Sequence, residues 1–233
     1  MTGPGQADVA ARIPGAAMLG LVVPRSAALV PASVLADPAW TAELLARRAR
    51  PAGTADPRVL ATVWWYSASL LLVTPPLAGL VSGVPLSARL SDMAMAFLPA
   101  GRPAAAQSVA PGGDLADDLR NSLAAVVAAL AEAGRMRERP LWAIATDSLA
   151  NQLLALGRAV GDVPGATARA GPLAAAVGPP LPAPRYVDVG AARFTRRASC
   201  CLVYRLPGGP LCTSCPRRPP GEGAALLSAA ARL

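Results

Sequence analysis

The chain contains no histidine and no lysine; all 22 of its basic residues are arginine. Without histidine there is no imidazole for proton transfer, for zinc ligation or for a Rieske-type centre, which needs two histidines on one iron. Without lysine there is no Schiff-base amine and no phosphate-binding P-loop lysine. Aromatic residues make up only 4% of the chain, too few for a base-stacking platform. The formal net charge of +8 comes from arginines scattered along the sequence, and no nucleic-acid-binding motif accompanies them. No G-x-G-x-x-G fingerprint follows a strand, so nicotinamide and flavin dinucleotides have no recognisable site. There is also no basic segment leading into a continuous apolar run near Met1, and hence no sign of an export signal.

At 233 residues, the chain is long enough for a substantial core. Its Ala, Leu and Val content, broken by 25 prolines and 21 glycines, predicts helices packed through small residues and separated by turns. The expected class is mainly α with a small β element. Residues 1–25 read as a loose N-terminal segment. Residues 26–160 read as a mostly helical body, residues 161–184 as a Gly/Pro/Ala-rich connector, and residues 185–233 as a C-terminal segment with its own chemistry.

Within the body, Asp37-Pro38 and Asp56-Pro57 each place a capping carboxylate before a proline suited to a first helical turn. Pro51 is expected to stop the first of these helices, and Pro75-Pro76 to end the second and lead into a loop. No charge occurs between Arg58 and Arg89, but the proline pair leaves the apolar run short of the ~20 residues that span a membrane. A buried helix is the expectation, with peripheral membrane attachment left open. Met93, Met95 and Phe97 alternate with smaller residues ahead of Gly101, predicting a hairpin near residues 90–110 with the methionines as core filling. Asp114 caps a helix carrying Leu119, Leu123, Val126, Val127 and Leu130 on one stripe. Pro140 opens another with Trp142 as a core anchor, and Gly161 ends it. Tyr186, Val187 and Val189 suggest a short strand, and residues 222–233 a terminal helix.

The chain's distinctive chemistry lies in four cysteines: Cys200 and Cys201, adjacent, followed by Cys212 and Cys215 in a C-x-x-C pair. Four thiolates suit a [2Fe–2S] cluster, a [4Fe–4S] cluster or zinc, and could instead form disulfides. Structural zinc sites commonly use two well-separated C-x-x-C knuckles, and only one half has that form here. Neighbouring residues in extended chain point to opposite sides, so Cys200 and Cys201 reach one small ion only if the backbone kinks. A larger two-iron core tolerates them more readily. Disulfides require an oxidising compartment. Iron–sulfur is therefore favoured on physical grounds, with zinc and disulfides open. Pro207-Gly208-Gly209-Pro210 supplies the turn that brings the second pair back to the first.

The stretch from Phe194 to Arg217, with its C-C-x10-C-x2-C pattern, resembles the C-terminal segment of the FhuF-like ferric-siderophore reductases. A weaker likeness extends upstream to the helix around Trp64 and to the Pro-Leu-Trp-Ala-Ile-Ala-Thr-Asp-Ser-Leu segment at residues 140–149. The resemblance implies a [2Fe–2S] cluster on Cys200, Cys201, Cys212 and Cys215. It also implies one-electron reduction of a ferric siderophore, in the cytoplasm or at the inner face of the membrane, with electrons from an external donor such as a ferredoxin or flavin reductase.

That task suits the composition. Adding one electron to oxygen-ligated Fe(III) gives softer Fe(II), which those donors hold less tightly, and no proton-transferring side chain is needed. Six arginines and no acid lie between Arg193 and Arg218. Arg196 and Arg197, just before the cysteine pair, are the expected electrostatic contacts for substrate or donor. Two other classes use the same cysteines: an iron–sulfur electron carrier or sensor without catalysis, and a zinc-stapled interaction module.

Overall fold

Asp37 and Asp56 act as the sequence predicts. In the computed structural model, which describes residues 5–232, the Asp37 carboxylate accepts from the Ala39 amide at 2.8 Å and starts a helix. Asp56 accepts from the Arg58 amide at 3.0 Å and starts the next.

The helices in chain order are α1 (Gln6–Ala11), α2 (Pro38–Ala52), α3 (Pro57–Leu72), α4 (Thr74–Ser82), α5 (Leu115–Ala133), α6 (Arg139–Val160), α7 (Val163–Ala168), α8 (Ala170–Val177) and α9 (Pro220–Ala230). The strands are β1 (Ala28–Pro31), β2 (Met93–Leu98), β3 (Arg102–Ser108), β4 (Tyr186–Val189) and β5 (Ala192–Thr195). They form two antiparallel sheets, β1-β2-β3 and β4-β5. The chain is thus mainly α with a small β element.

The β2–β3 hairpin pairs Met95 with Ala106, and β1, which the sequence does not announce, adds to its far edge by pairing Val30 with Met95. Met93 and Met95 are buried in the core, as their alternation implied. Trp142 is buried as well, its indole N–H donating to Glu138 at 3.2 Å.

Several expectations are corrected. Residues 1–4 of the N-terminal segment lie outside the described residues, but residues 5–25 are not loose. Val9, Ile13 and Leu21 are buried, and the Gln6 amide bridges segments distant in sequence. Its nitrogen donates to the Leu21 and Ala106 carbonyls at 2.8 Å each, and its oxygen accepts from the Ser108 amide at 2.7 Å. Pro51 does not stop α2 but occupies its last turn, where only one backbone bond is forfeited; the helix ends at Gly53 with φ 65°. Pro75 and Pro76 open α4 rather than a loop, because a helix's first turn has no intrahelical use for their missing N–H groups.

The expected connector at 161–184 is largely helical. Gly157 lets α7 close onto α6, since a Cβ there would lie 2.8 Å from Ala166. Ala170, Ala174 and Val177 bury the inner face of α8. One apolar cluster consequently runs from Val9 to Leu181, joining the first three segments in a single core.

Pro57–Ser82 is long and apolar enough to cross a membrane by length and composition, yet 72% of its most apolar window is buried within the fold. Burial has a polar component too. The Trp65 indole donates to the Leu141 carbonyl at 2.9 Å, and Ser69 and Ser148 share a hydrogen bond of 2.7 Å, locking α3 to α6.

Replacing Gln6 by Ala strands two buried carbonyls and a buried amide. Each such loss costs on the order of 1–3 kcal/mol, so Gln6→Ala is expected to lower the unfolding free energy by at least about 2 kcal/mol in urea titration. A change below about 0.5 kcal/mol, the usual effect of a surface substitution, would show that the segment contributes nothing to stability.

Candidate metal centre

The cysteine-bearing segment is built outward from α6. The Tyr186 hydroxyl donates to the Ala150 carbonyl at 3.0 Å, and Arg158 donates to the Arg193 carbonyl at 2.7 Å, which lays the β4–β5 hairpin along that helix. The ladder runs one step further, the Arg196 amide donating to the Arg185 carbonyl at 2.8 Å. Residues 197–199 then turn into the body and meet Asp147.

Asp147 lies in the middle of α6 and is 2% exposed. One carboxylate oxygen accepts from the Ala198 amide at 2.7 Å. The other accepts from the Ser199 amide at 3.0 Å, the Ser199 hydroxyl at 2.5 Å and Arg197 Nε at 3.4 Å. The Arg197 guanidinium also sits 4.5 Å above the Tyr66 ring of α3, and its Nη1 approaches the Cys212 sulfur at 3.2 Å. Burial opposes the charge on Arg197, but Tyr66, Cys201, Cys212 and Asp147 together outweigh it and hold the guanidinium above its ordinary value.

Leu202 then takes the left-handed conformation, φ 58°, and kinks the chain directly after the adjacent cysteines. A short 3-10 turn, Val203–Arg205, leads to the Pro-Gly-Gly-Pro reversal. Gly209 is needed there because a Cβ would fall 1.9 Å from the Val203 carbonyl oxygen. The Cys215 amide donates to the Cys212 carbonyl at 3.1 Å, closing the tight C-x-x-C turn. Arg218 fastens that turn from behind, donating to the Cys212 carbonyl at 2.9 Å and the Leu211 carbonyl at 2.6 Å while pairing with Glu222 of α9.

The reversal returns the second cysteine pair to the neighbourhood of the first. All four thiols are free; Cys201 and Cys215 are buried, Cys200 and Cys212 half-buried. Cys200 lies within electrostatic reach of Cys215 and Cys201, and Cys212 of Cys201 and Cys215, so the two pairs of the motif are near each other. Burial pushes the Cys200 and Cys212 thiols up, with Arg197 partly offsetting this at Cys212. Metal loading here therefore has to displace protons. Among the described residues, no three thiol or carboxylate side chains are gathered closely enough to hold one metal ion, so ligation requires the loop to draw its sulfurs inward. The donor set suits a two-iron core: four soft sulfurs with one buried cation beside them to offset the centre's negative charge.

Residues 197–217 match the family of the FhuF 2Fe-2S C-terminal domain. This segment is similar to the FhuF 2Fe-2S domain. Its cofactor is accordingly a [2Fe–2S] cluster, and the matched residues include all four cysteines. No curated protein matches the chain. The match covers the cysteine loop alone.

Arg196 and Arg197, expected together as surface contacts, part company. Arg196 is exposed, whereas the Arg197 side chain is 3% exposed and faces inward to Asp147, Tyr66 and the thiols. Arg197 is thus a component of the centre's inner wall. Of the other arginines in the stretch, Arg193 is paired with Asp188 at 2.8 Å, and Arg217 lies 4.9 Å over Tyr204. Asp147 and Tyr66 went unassigned in the sequence. Asp147 had a signal: it is the sole acid on a 22-residue helix. Tyr66 had none.

Asp147→Ala removes four hydrogen bonds and leaves Arg197 buried without its carboxylate. Breaking a buried pair in this way costs about 3–5 kcal/mol, felt here by the loop more than by α6. The expected result is holoprotein that loses its visible absorption roughly 10–100-fold faster under a chelator, with far-UV circular dichroism retained. An unchanged decay rate would contradict the role given to Asp147.

Proposed function

We propose that the protein is a ferric-siderophore reductase, passing one electron to chelated Fe(III) and so releasing iron as Fe(II), with Cys200, Cys201, Cys212 and Cys215 as the cluster ligands. The observation that carries this reading is the match of residues 197–217 to the FhuF 2Fe-2S domain, with the two cysteine pairs near each other on the helical body and two of the thiols half-exposed. When bound, the cluster supplies a one-electron redox couple that matches the Fe(III)/Fe(II) change in stoichiometry.

The chain's own residues do the rest. Asp147 and Arg218 hold the two cysteine pairs in register, and the Arg197 guanidinium places a positive charge against the sulfurs, which favours the more negative, reduced state. Half-exposed Cys200 and Cys212 keep the path for the electron short. No side chain need carry a proton, which fits a chain without histidine.

Electrons reach the protein from an external donor such as a ferredoxin or flavin reductase. The site of action is the cytoplasm or the inner face of the membrane.

Holoprotein reduced with dithionite, freed of excess reductant and mixed anaerobically with a ferric siderophore, should be reoxidised with one Fe(II) formed per cluster, captured by ferrozine. Cys201→Ser, lacking one of the four thiolates, is expected to show neither the visible spectrum nor the Fe(II) signal. Wild-type protein that stays reduced in the presence of ferric siderophore would contradict the reading and leave an electron carrier in its place.

A further inference from the structure

The surface beside Cys215 is a cleft of about 530 Å³ between the β4–β5 hairpin, the C-x-x-C turn and α9. Cys215 forms part of its wall. Arg185 and Arg196 of the hairpin, Thr213 and Ser214 of the turn, and Ala224 and Leu227 of α9 line it as well.

Arg185 and Arg196 are cross-strand neighbours at the open end of the hairpin, joined by the 2.8 Å hydrogen bond between their main chains, and both are exposed. Two like charges placed opposite each other on a ladder repel. Among the described residues neither is ion-paired, while Arg89, Arg120, Arg193, Arg197 and Arg218 each have a carboxylate. Among the described residues no acidic residue lines the cleft, and Arg218, which does line it, is already paired with Glu222. The pair is therefore set where an anion would relieve its repulsion, in the cleft that Cys215 also lines. The concavity and the apolar wall from α9 suit a small chelate with an organic framework better than the convex face of an acidic protein.

We propose that this cleft is the docking site for the ferric complex and that it selects complexes of net negative charge, carboxylate- or catecholate-ligated, over neutral and cationic ones. The proposal rests on the reductase reading. In the docked complex one electron leaves the reduced protein past Cys215 and enters the chelated ferric ion. Fe(III) becomes Fe(II), the protein returns to its oxidised form, and no covalent bond is made or broken at a side chain. The oxygen donors then hold the iron less tightly and it departs. A one-electron donor protein of the ferredoxin class restores the reduced state.

The test compares wild-type holoprotein with an Arg185→Ala/Arg196→Ala double variant, each reduced and mixed in stopped flow with Fe(III)–EDTA, an anion, or with ferrioxamine B, a cation. The variant-to-wild-type ratio is read separately for each complex, so differences in driving force between complexes cancel. Removing two steering charges is expected to slow reoxidation by Fe(III)–EDTA about tenfold or more at low salt, and to leave ferrioxamine B within about twofold. The visible spectrum should not change, because both side chains lie outside the ligand set. Charge reversal, Arg185→Glu/Arg196→Glu, is expected to deepen the loss with Fe(III)–EDTA and to speed ferrioxamine B. Equal effects on both complexes, or none on Fe(III)–EDTA, would overturn the proposal while leaving the reductase reading intact. Slower loading from reduced ferredoxin with unchanged reoxidation by Fe(III)–EDTA would assign the arginines to the donor and overturn it too. Wild-type protein that neither complex reoxidises would overturn the reductase reading itself.

Discussion

Asp147 is one carboxylate in the interior of α6, and the cysteine loop has its main polar anchor there. Four donors from residues 197–199 converge on its two oxygens, and one of them, the Arg197 guanidinium, extends onward to Cys212. Burying a lone carboxylate is prohibitive; burying it with a matched cation and three further hydrogen bonds is sustainable because both oxygens have partners. The gain lies in specificity more than in net stability. Only one placement of the loop satisfies Asp147, and that placement sets the first cysteine pair against the second.

The anchor is only as firm as the helix that bears it. The hydrogen bonds from Trp65 to Leu141 and between Ser69 and Ser148 tie α6 to α3 across a tightly packed interface. The same α3 presents the Tyr66 ring beneath the Arg197 guanidinium, so both helices meet the loop through one arginine. From the other side, Arg218 links the C-x-x-C turn to α9. The centre is thus clasped between a rigid helical platform and a short C-terminal helix, with the cleft at Cys215 left open to the surface.

Local signals in the sequence carried the local structure. Capping aspartates, the glycine that ends α6 and the alternation in β2 act through immediate neighbours, so they were legible. The cysteine motif was the most legible of all, because its spacing is tied to metal chemistry. Contacts between distant segments were hidden. Strand β1 depends on a partner more than sixty residues away, and α7 and α8 form from a Gly/Pro/Ala-rich composition that reads as loop until α6 offers a surface for it. Arg196 and Arg197 show the limit most directly. As adjacent residues on extended chain they face opposite ways, and only the position of α6 decides which one turns inward.

Every functional statement about the chain depends on two iron atoms being held by this segment. Anaerobically prepared protein, analysed for iron and acid-labile sulfide and examined by electron paramagnetic resonance after reduction, tests that directly. The account predicts reddish-brown protein with two irons and two sulfides per chain, as a [2Fe–2S] domain requires, and a reduced-cluster signal that disappears on reoxidation. Colourless protein without sulfide, or protein with a single zinc per chain and no paramagnetic signal, would contradict it.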